Sequence, residues 1–174
     1  MQVSLVLTVL SDDQSGLVQR ISEVLVEHEA NWTESRMVHL AGKFAGLLQA
    51  TVAQDKLEAL KAGLQGLQAS HAINILIEQV GAEALAAIEP AEELTLKVLG
   101  QDMPGIVNRI TEALANLKVN VEELTSEQRS APMSAEKLFY ANITMGLPEG
   151  VSADDVQDAL EGLSEQLMVD LQFS

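Results

Sequence analysis

Cysteine is absent from the 174 residues. That removes disulfides, thiol nucleophiles and cysteine metal sites at once. Aromatics are scarce, with Trp32, Tyr140 and three phenylalanines, too few for the base-stacking platforms of single-strand binders. Basic residues number 10 against 26 acidic ones, a net charge of −16 with histidines neutral. Nucleic-acid binding normally needs a basic face to displace counterions, so this balance opposes direct contact. Apolar runs fall far short of the ~20 residues that span a bilayer. The N-terminus, MQVSLVLTVLSDD, turns acidic and lacks a basic n-region, so we expect no signal peptide, no membrane partner and a cytoplasmic location.

Catalytic patterns are missing as well. His28, His39 and His71 are dispersed and form neither HxxxH nor HExxH; surface or packing roles are the expectation. There is no Gly-rich phosphate loop and no G-x-S-x-G elbow. Glu122 and Glu123 are neighbours on an expected strand, so alternation sends them to opposite faces. Asp154 and Asp155 suit a helix start, with Ser152 as its cap. The expectation is a non-enzyme without metal or cofactor. Met103, Met133 and Met145 fit either an adaptable surface or, more plainly, core and loop filling.

What the chain has is 47% hydrophobic residues, ample for a core and too many for disorder, together with an internal repeat. VLSDDQSGLVQRISEVL, starting at Val9, matches VLGQDMPGIVNRITEAL, starting at Val98. The offset of 89 pairs Asp13 with Asp102, Gly16 with Gly105, Arg20 with Arg109, Asn31 with Asn120 and Glu34 with Glu123. The repeat predicts one domain over 1–82, an Ala/Glu-rich linker over 83–92 with Pro90, and a second domain over 93–174.

Each copy shows the same series of patterns. In the first, Val3–Leu10 reads as a strand and Gly16 breaks it. Leu17, Ile21, Val24, Leu25 and His28 follow helical spacing to about Glu29. Trp32–Leu40 and Phe44–Val52 read as a hairpin turned at Ala41-Gly42-Lys43. Leu57, Leu60, Leu64 and Leu67 mark a second helix, and Ile73–Val80 a closing strand. The second copy gives strands at Leu94–Leu99, Val119–Gln128, Leu138–Met145 and Leu167–Phe173. Its helices cover Gly105–Leu117 and the Val156, Leu160, Leu163 stretch, and a longer loop, Arg129–Lys137, contains Pro132. Strand-helix-strand-strand-helix-strand is the split βαβ, ferredoxin-like pattern: an α+β fold of antiparallel sheets with helices on one face. Leu47-Leu48 and Ile75-Leu76-Ile77 are apolar on both faces, so burial beyond the helix-covered face is expected. Edge extension, face-to-face packing and self-association all remain open.

The turn between first strand and first helix is the candidate site. In Asp102-Met103-Pro104-Gly105-Ile106-Val107, proline suits a helix start and glycine permits close backbone approach. The helix N-terminus attracts a carboxylate. Asp102 offers a contact for an amine, and Asn120 both donor and acceptor; together they suit an amino acid. The structural alternative is that Asp102 caps the helix or forms an Asx-turn, and that Asn31 and Asn120 hold turns. In the first copy the turn is Asp13-Gln14-Ser15-Gly16-Leu17, without proline.

The β-α-β-β-α-β order with the D-x-P-G-[IL]-V turn resembles the ACT domain, a small regulatory module that binds amino acids. Two such units filling the chain resemble the glycine cleavage system transcriptional repressor family. That resemblance implies glycine sensing and action through a DNA-binding transcriptional activator protein rather than on DNA. ACT ligands commonly sit where two domains meet near the first turn and helix, which carries over to Gly16, Leu17, Asn31, Gly105, Ile106 and Asn120. With Asp13 and Asp102 these make the expected ligand-binding set. The other reading is a ligand-independent adaptor whose sheets and acidic surface dock a protein. The charge is uneven: −5 over 1–88 (5 basic, 10 acidic) and −11 over 89–174 (5 basic, 16 acidic). That distribution steers a basic partner or simply aids solubility.

Overall fold

The structure, a computed structural model, describes residues 1–81, 92–130, 136–167 and 169–174. The chain divides into two compact units, 1–87 and 88–174. Of the expected linker, all but residue 92 lies outside the described residues, and Glu92 already opens a strand. Met133 and Pro132 also lie outside them.

Unit one runs β1 (Gln2–Asp12), α1 (Leu17–Glu27), β2 (Asn31–Leu40), β3 (Lys43–Ala53), a short 3-10 turn, α2 (Leu57–His71) and β4 (Asn74–Val80). The sheet order is β2-β3-β1-β4, with every pairing antiparallel. Alternation builds the core: Val3, Leu5, Leu7 and Val9 are buried while Ser4, Val6 and Thr8 between them are not. Leu48, Ala50 and Val52 of β3 lie on the same face, opposite Leu7, Leu5 and Val3. Leu17, Ile21 and Leu25 of α1 and Leu57, Leu60, Leu64 and Leu67 of α2 close over them. The leucine spacing of three or four residues keeps one stripe of α2 on the sheet.

Helix α1 ends where the backbone turns left-handed at Glu29 (φ 54). Glu29 N–H donates to Val26 and Ala30 N–H to Leu25, the paired reverse bonds that satisfy a helix's last carbonyls. The β2–β3 hairpin closes on two residues of positive φ, Ala41 (50) and Gly42 (77). That conformation matches the strand twist.

Unit two repeats the plan with β5 (Glu92–Gln101), α3 (Ile106–Asn116), β6 (Asn120–Ser130), β7 (Lys137–Leu147), α4 (Ala153–Leu167) and β8 (Val169–Phe173), in sheet order β6-β7-β5-β8. Ile106, Ile110 and Leu114 take the places of Leu17, Ile21 and Leu25. Lys118 (φ 58) ends α3 as Glu29 ends α1. Helix α4 begins with a reciprocal cap: Asp155 N–H donates to the Ser152 hydroxyl (3.2 Å), and Ser152 N–H to the Asp155 carboxylate (2.8 Å).

Two sequence expectations are corrected. Strands are longer than the apolar runs suggest: β1 continues to Asp12, and the β6–β7 ladder reaches Ser130 opposite Lys137. Backbone pairing carries polar residues that no hydrophobic pattern marks. Second, β6 has a bulge between Val121 and Glu123, so simple alternation does not place Glu122 and Glu123. The same bulge sits between Trp32 and Glu34 of β2. In the single chain Leu47 and Leu76 stand exposed on the open face.

Candidate functional site

In each unit the first strand delivers the chain to an equivalent turn. Asp13 N–H donates to Gly42 C=O (3.0 Å), and Asp102 N–H to Lys137 C=O (3.0 Å). The turn thereby hangs on the far end of the β2–β3 or β6–β7 ladder. Gly16 (φ 80) and Gly105 (φ 93) then start the helices in left-handed conformation, which glycine alone adopts without steric cost. The N–H of Arg20 and of Arg109 closes the first helical turn on them (3.0 Å each). Neither helix receives a side-chain cap, and neither has an acidic residue in its first turn. The partial positive charge of the helix start is left for something else to meet.

The two aspartates therefore do not cap their helices. Asp13 lies 3.5 Å from His39 Nε2, and Asp102 accepts a hydrogen bond from Gln128 Nε2. His39 and Gln128 are themselves 89 apart, so both turns are braced from the same position on the edge strand. No local sequence pattern marks this brace. His39 lies within one strand and Gln128 near the end of another, and only the repeat offset links them. Gln14 adds a second tie in unit one, donating to His71 C=O (3.0 Å).

In unit two Asp102, Met103, Gly105, Ile106, Val107, Asn108 and Phe139 line a surface depression of about 440 Å³. That is large enough for a small metabolite. Three expected site residues, Asp102, Gly105 and Ile106, meet here. Ile106 and its counterpart Leu17 are core residues, 2% and 3% exposed. Their side chains face the sheet, so each can offer a ligand only its backbone N–H.

Asn31 and Asn120 are elsewhere. Asn31 pairs with Thr51, which pairs with Ser4; Asn120 pairs with Gly146, which pairs with Glu93. Each therefore lies at the start of the first strand, nine residues before the turn aspartate, or roughly 30 Å away at about 3.3 Å per residue. One amino acid cannot touch Asp102 and Asn120 of the same unit, which corrects the expected joint grip. The cause is topological: β2 and β6 begin where the helices end, at the opposite end of the strands from the turn. Asn120 instead donates to Glu122 Oε1 (2.6 Å), across the bulge.

A second polar hollow, about 310 Å³, is lined by Thr125, Ser126, Glu127, Arg129, Tyr140 and Asn142. The Arg129 guanidinium stacks 4.1 Å over the Tyr140 ring and pairs with Glu127, while Tyr140 donates to Asn142 Oδ1 (3.2 Å). Among the described residues, no group of three or more His, Asp or Glu could hold a metal ion. Nor is any helix among them long and apolar enough to cross a membrane.

Residues 4–78, most of unit one, match the family model described as the ACT domain. A crystal structure of an unknown protein from Galdieria sulphuraria superposes with a TM-score of 0.87 at 26% identity, over 100% of this chain and 98% of that one. Another, provisionally described as a glycine cleavage system transcriptional repressor, superposes with a TM-score of 0.73 at 16% identity, over 100% and 97%. At that identity the second likeness speaks for the fold. No curated protein matches the chain.

Proposed function

We propose that the chain, of which residues 4–78 match the ACT domain model, is a tandem of two ACT-type domains and an amino-acid-responsive regulatory protein rather than an enzyme. The ligand is a small amino acid, glycine first. The output is repression of transcription through a DNA-binding activator protein, in the cytoplasm and without direct DNA or membrane contact. The observation that carries this reading is the twice-built turn. An uncapped helix start follows a left-handed glycine, and an aspartate is braced beside it from the edge strand. Helix N–H groups complement a carboxylate and the aspartate complements an ammonium group. Asp13, Gly16 and Leu17 in unit one and Asp102, Gly105 and Ile106 in unit two are the proposed contacts, the last of each set through its backbone. Asn31 and Asn120 stay in the proposed set only for a ligand that does not also touch their own unit's turn. The net charge of −16 supports a protein target over DNA.

Sensing requires the ligand to bind one state of the protein better than another. Titration calorimetry of the full chain with glycine, serine and larger amino acids tests the reading: saturable heat with glycine is expected, and Gly105→Val removes the unit-two share of it. A Cβ at Gly105 meets no atom within 4 Å, yet φ is +93, so the substitution re-routes the backbone rather than filling the depression. Absence of heat with every amino acid at millimolar concentration sinks the sensor reading. The ligand-independent adaptor, which the exposed aliphatics of unit one favour, then takes its place.

A further inference from the structure

At the positions that line the unit-two depression, the two turns differ in polarity at one place. The repeat offset pairs Val107 with Val18 and Asn108 with Gln19. The strand ladders pair Phe139 with Phe44. Met103, however, stands where unit one has Gln14. The Gln14 amide is tied to the end of α2 through the His71 carbonyl (3.0 Å). Met103 has no polar group to tie, and it lies partly exposed beside Val107 along the depression. Among the described residues lining that depression, only Asp102 is charged. Glycine has no side chain to place in its 440 Å³ or so.

We propose that the unit-two turn prefers an amino acid with an aliphatic side chain, of leucine or methionine size, over glycine, and that Met103 sets this preference. The proposal rests on the amino-acid reading of the turn. With its ammonium group at Asp102 and its carboxylate at the helix start, a ligand has its side chain left to lie along the wall of the depression. There Met103, Val107 and Phe139 offer apolar surface. A thioether on an unbranched stem adapts to the shape it meets. A polar side chain would give up water to a wall that returns few hydrogen bonds. An acidic one would meet the Asp102 carboxylate, and a basic one finds no second carboxylate among the lining residues. An open depression buries about half of an aliphatic side chain, which amounts to roughly fivefold to tenfold in affinity. Unit one has the same valine and phenylalanine but a tethered amide in the place of Met103, so it discriminates less. Glycine, without a side chain, does not distinguish the two turns on this ground.

Titration calorimetry of the full chain with leucine and with glycine, on wild type and on Met103→Gln, tests this. The substitution gives unit two the residue that unit one already carries, so circular dichroism and the melting profile should stay native. Wild type should bind leucine at one site roughly fivefold to tenfold tighter than glycine. Met103→Gln should cut that preference to about twofold while leaving glycine affinity within about twofold of wild type. A second readout places the site. In protein isotope-labelled at its methionine methyl groups, the Met103 resonance, identified by its loss in Met103→Gln, should move over the same range of leucine concentration. Equal affinity for leucine and glycine overturns the proposal and leaves the amino-acid reading standing. A leucine preference that survives Met103→Gln, or a Met103 resonance that stays still at leucine saturation, also overturns it. No heat with leucine, glycine or any other amino acid sinks the amino-acid reading itself, and the proposal with it.

Discussion

Unit one and unit two follow one backbone plan and share one pattern of buried positions, yet their open sheet faces have opposite character. Where unit one has Val38, Leu40, Leu47 and Leu76, unit two has Glu127, Arg129, Asn142 and Gln172. The helix-covered face shows no such divergence: Leu5, Leu7 and Val9 correspond to Leu94, Leu96 and Val98, all of them buried. Close packing tolerates little change in volume, whereas an exposed strand face leaves residue choice to solubility or to partners. The fold constrains one face of each sheet and leaves residue choice on the other free.

The comparison breaks most visibly if the matched cores are not equivalent. Leu64 and Leu160 are both fully buried at corresponding places on α2 and α4. Leu64→Ala and Leu160→Ala should each cost about 2–5 kcal/mol, read by urea denaturation. A difference beyond that spread would show that the two cores are not packed alike.

A smaller effect concerns one equivalent position in the two units, which each unit fills differently. Gly46 of β3 corresponds to Ala141 of β7, opposite Val9 and Val98 respectively. A Cβ on Gly46 would stand 2.5 Å from Met37 Cγ and 2.6 Å from the Arg36 carbonyl oxygen. In unit two, Ser126 occupies the place of Met37, and the methyl of Ala141 is accommodated at 1% exposure. Bulk on the edge strand is balanced by its absence on the neighbour. Gly46→Ala should cost about 1–3 kcal/mol from overpacking, and adding Met37→Ser should recover part of it. Ala141→Gly should also destabilise, by about 1 kcal/mol, through chain entropy. Thermal melts of the three variants decide whether each unit has compensated separately.

The smallest effect belongs to the one helix start with a reciprocal cap. The Ser152 hydroxyl, and after it the Ser152 N–H, hold the Asp155 carboxyl below its ordinary value of 3.8. A carboxylate stabilised in this way supports the fold above its unfolded pKa and loses that support as pH falls through the lower folded value. Ser152→Ala should lower the melting temperature by a few degrees near neutrality. The gap from wild type should close as pH drops below 3.8.

Much of this molecule is written in local pattern. The offset of 89, the leucine spacing of α2 and the alternation of β1 foretell the element order and the residues of both cores. Ser152 with Asp155 foretells a helix start. The bulges after Trp32 and Val121 carry no such mark, because they depend on how one strand is paired with another. Glu29 and Lys118 carry none either: each takes the left-handed position where glycine is the usual signal.

The candidate site divides the same way. The sequence by itself determined that two turns exist, each with an aspartate and a glycine before an amphipathic helix, because those are properties of neighbours along the chain. Only the tertiary structure decided that Asp13 meets His39 and Asp102 meets Gln128, contacts spanning 26 residues. It likewise decided that Asn31 and Asn120 stand a full strand length from the turns they were expected to serve. Periodicity reports which face a residue occupies. Its position along that face follows from strand register and from the direction in which each helix returns the chain, and both are set by pairing between distant segments.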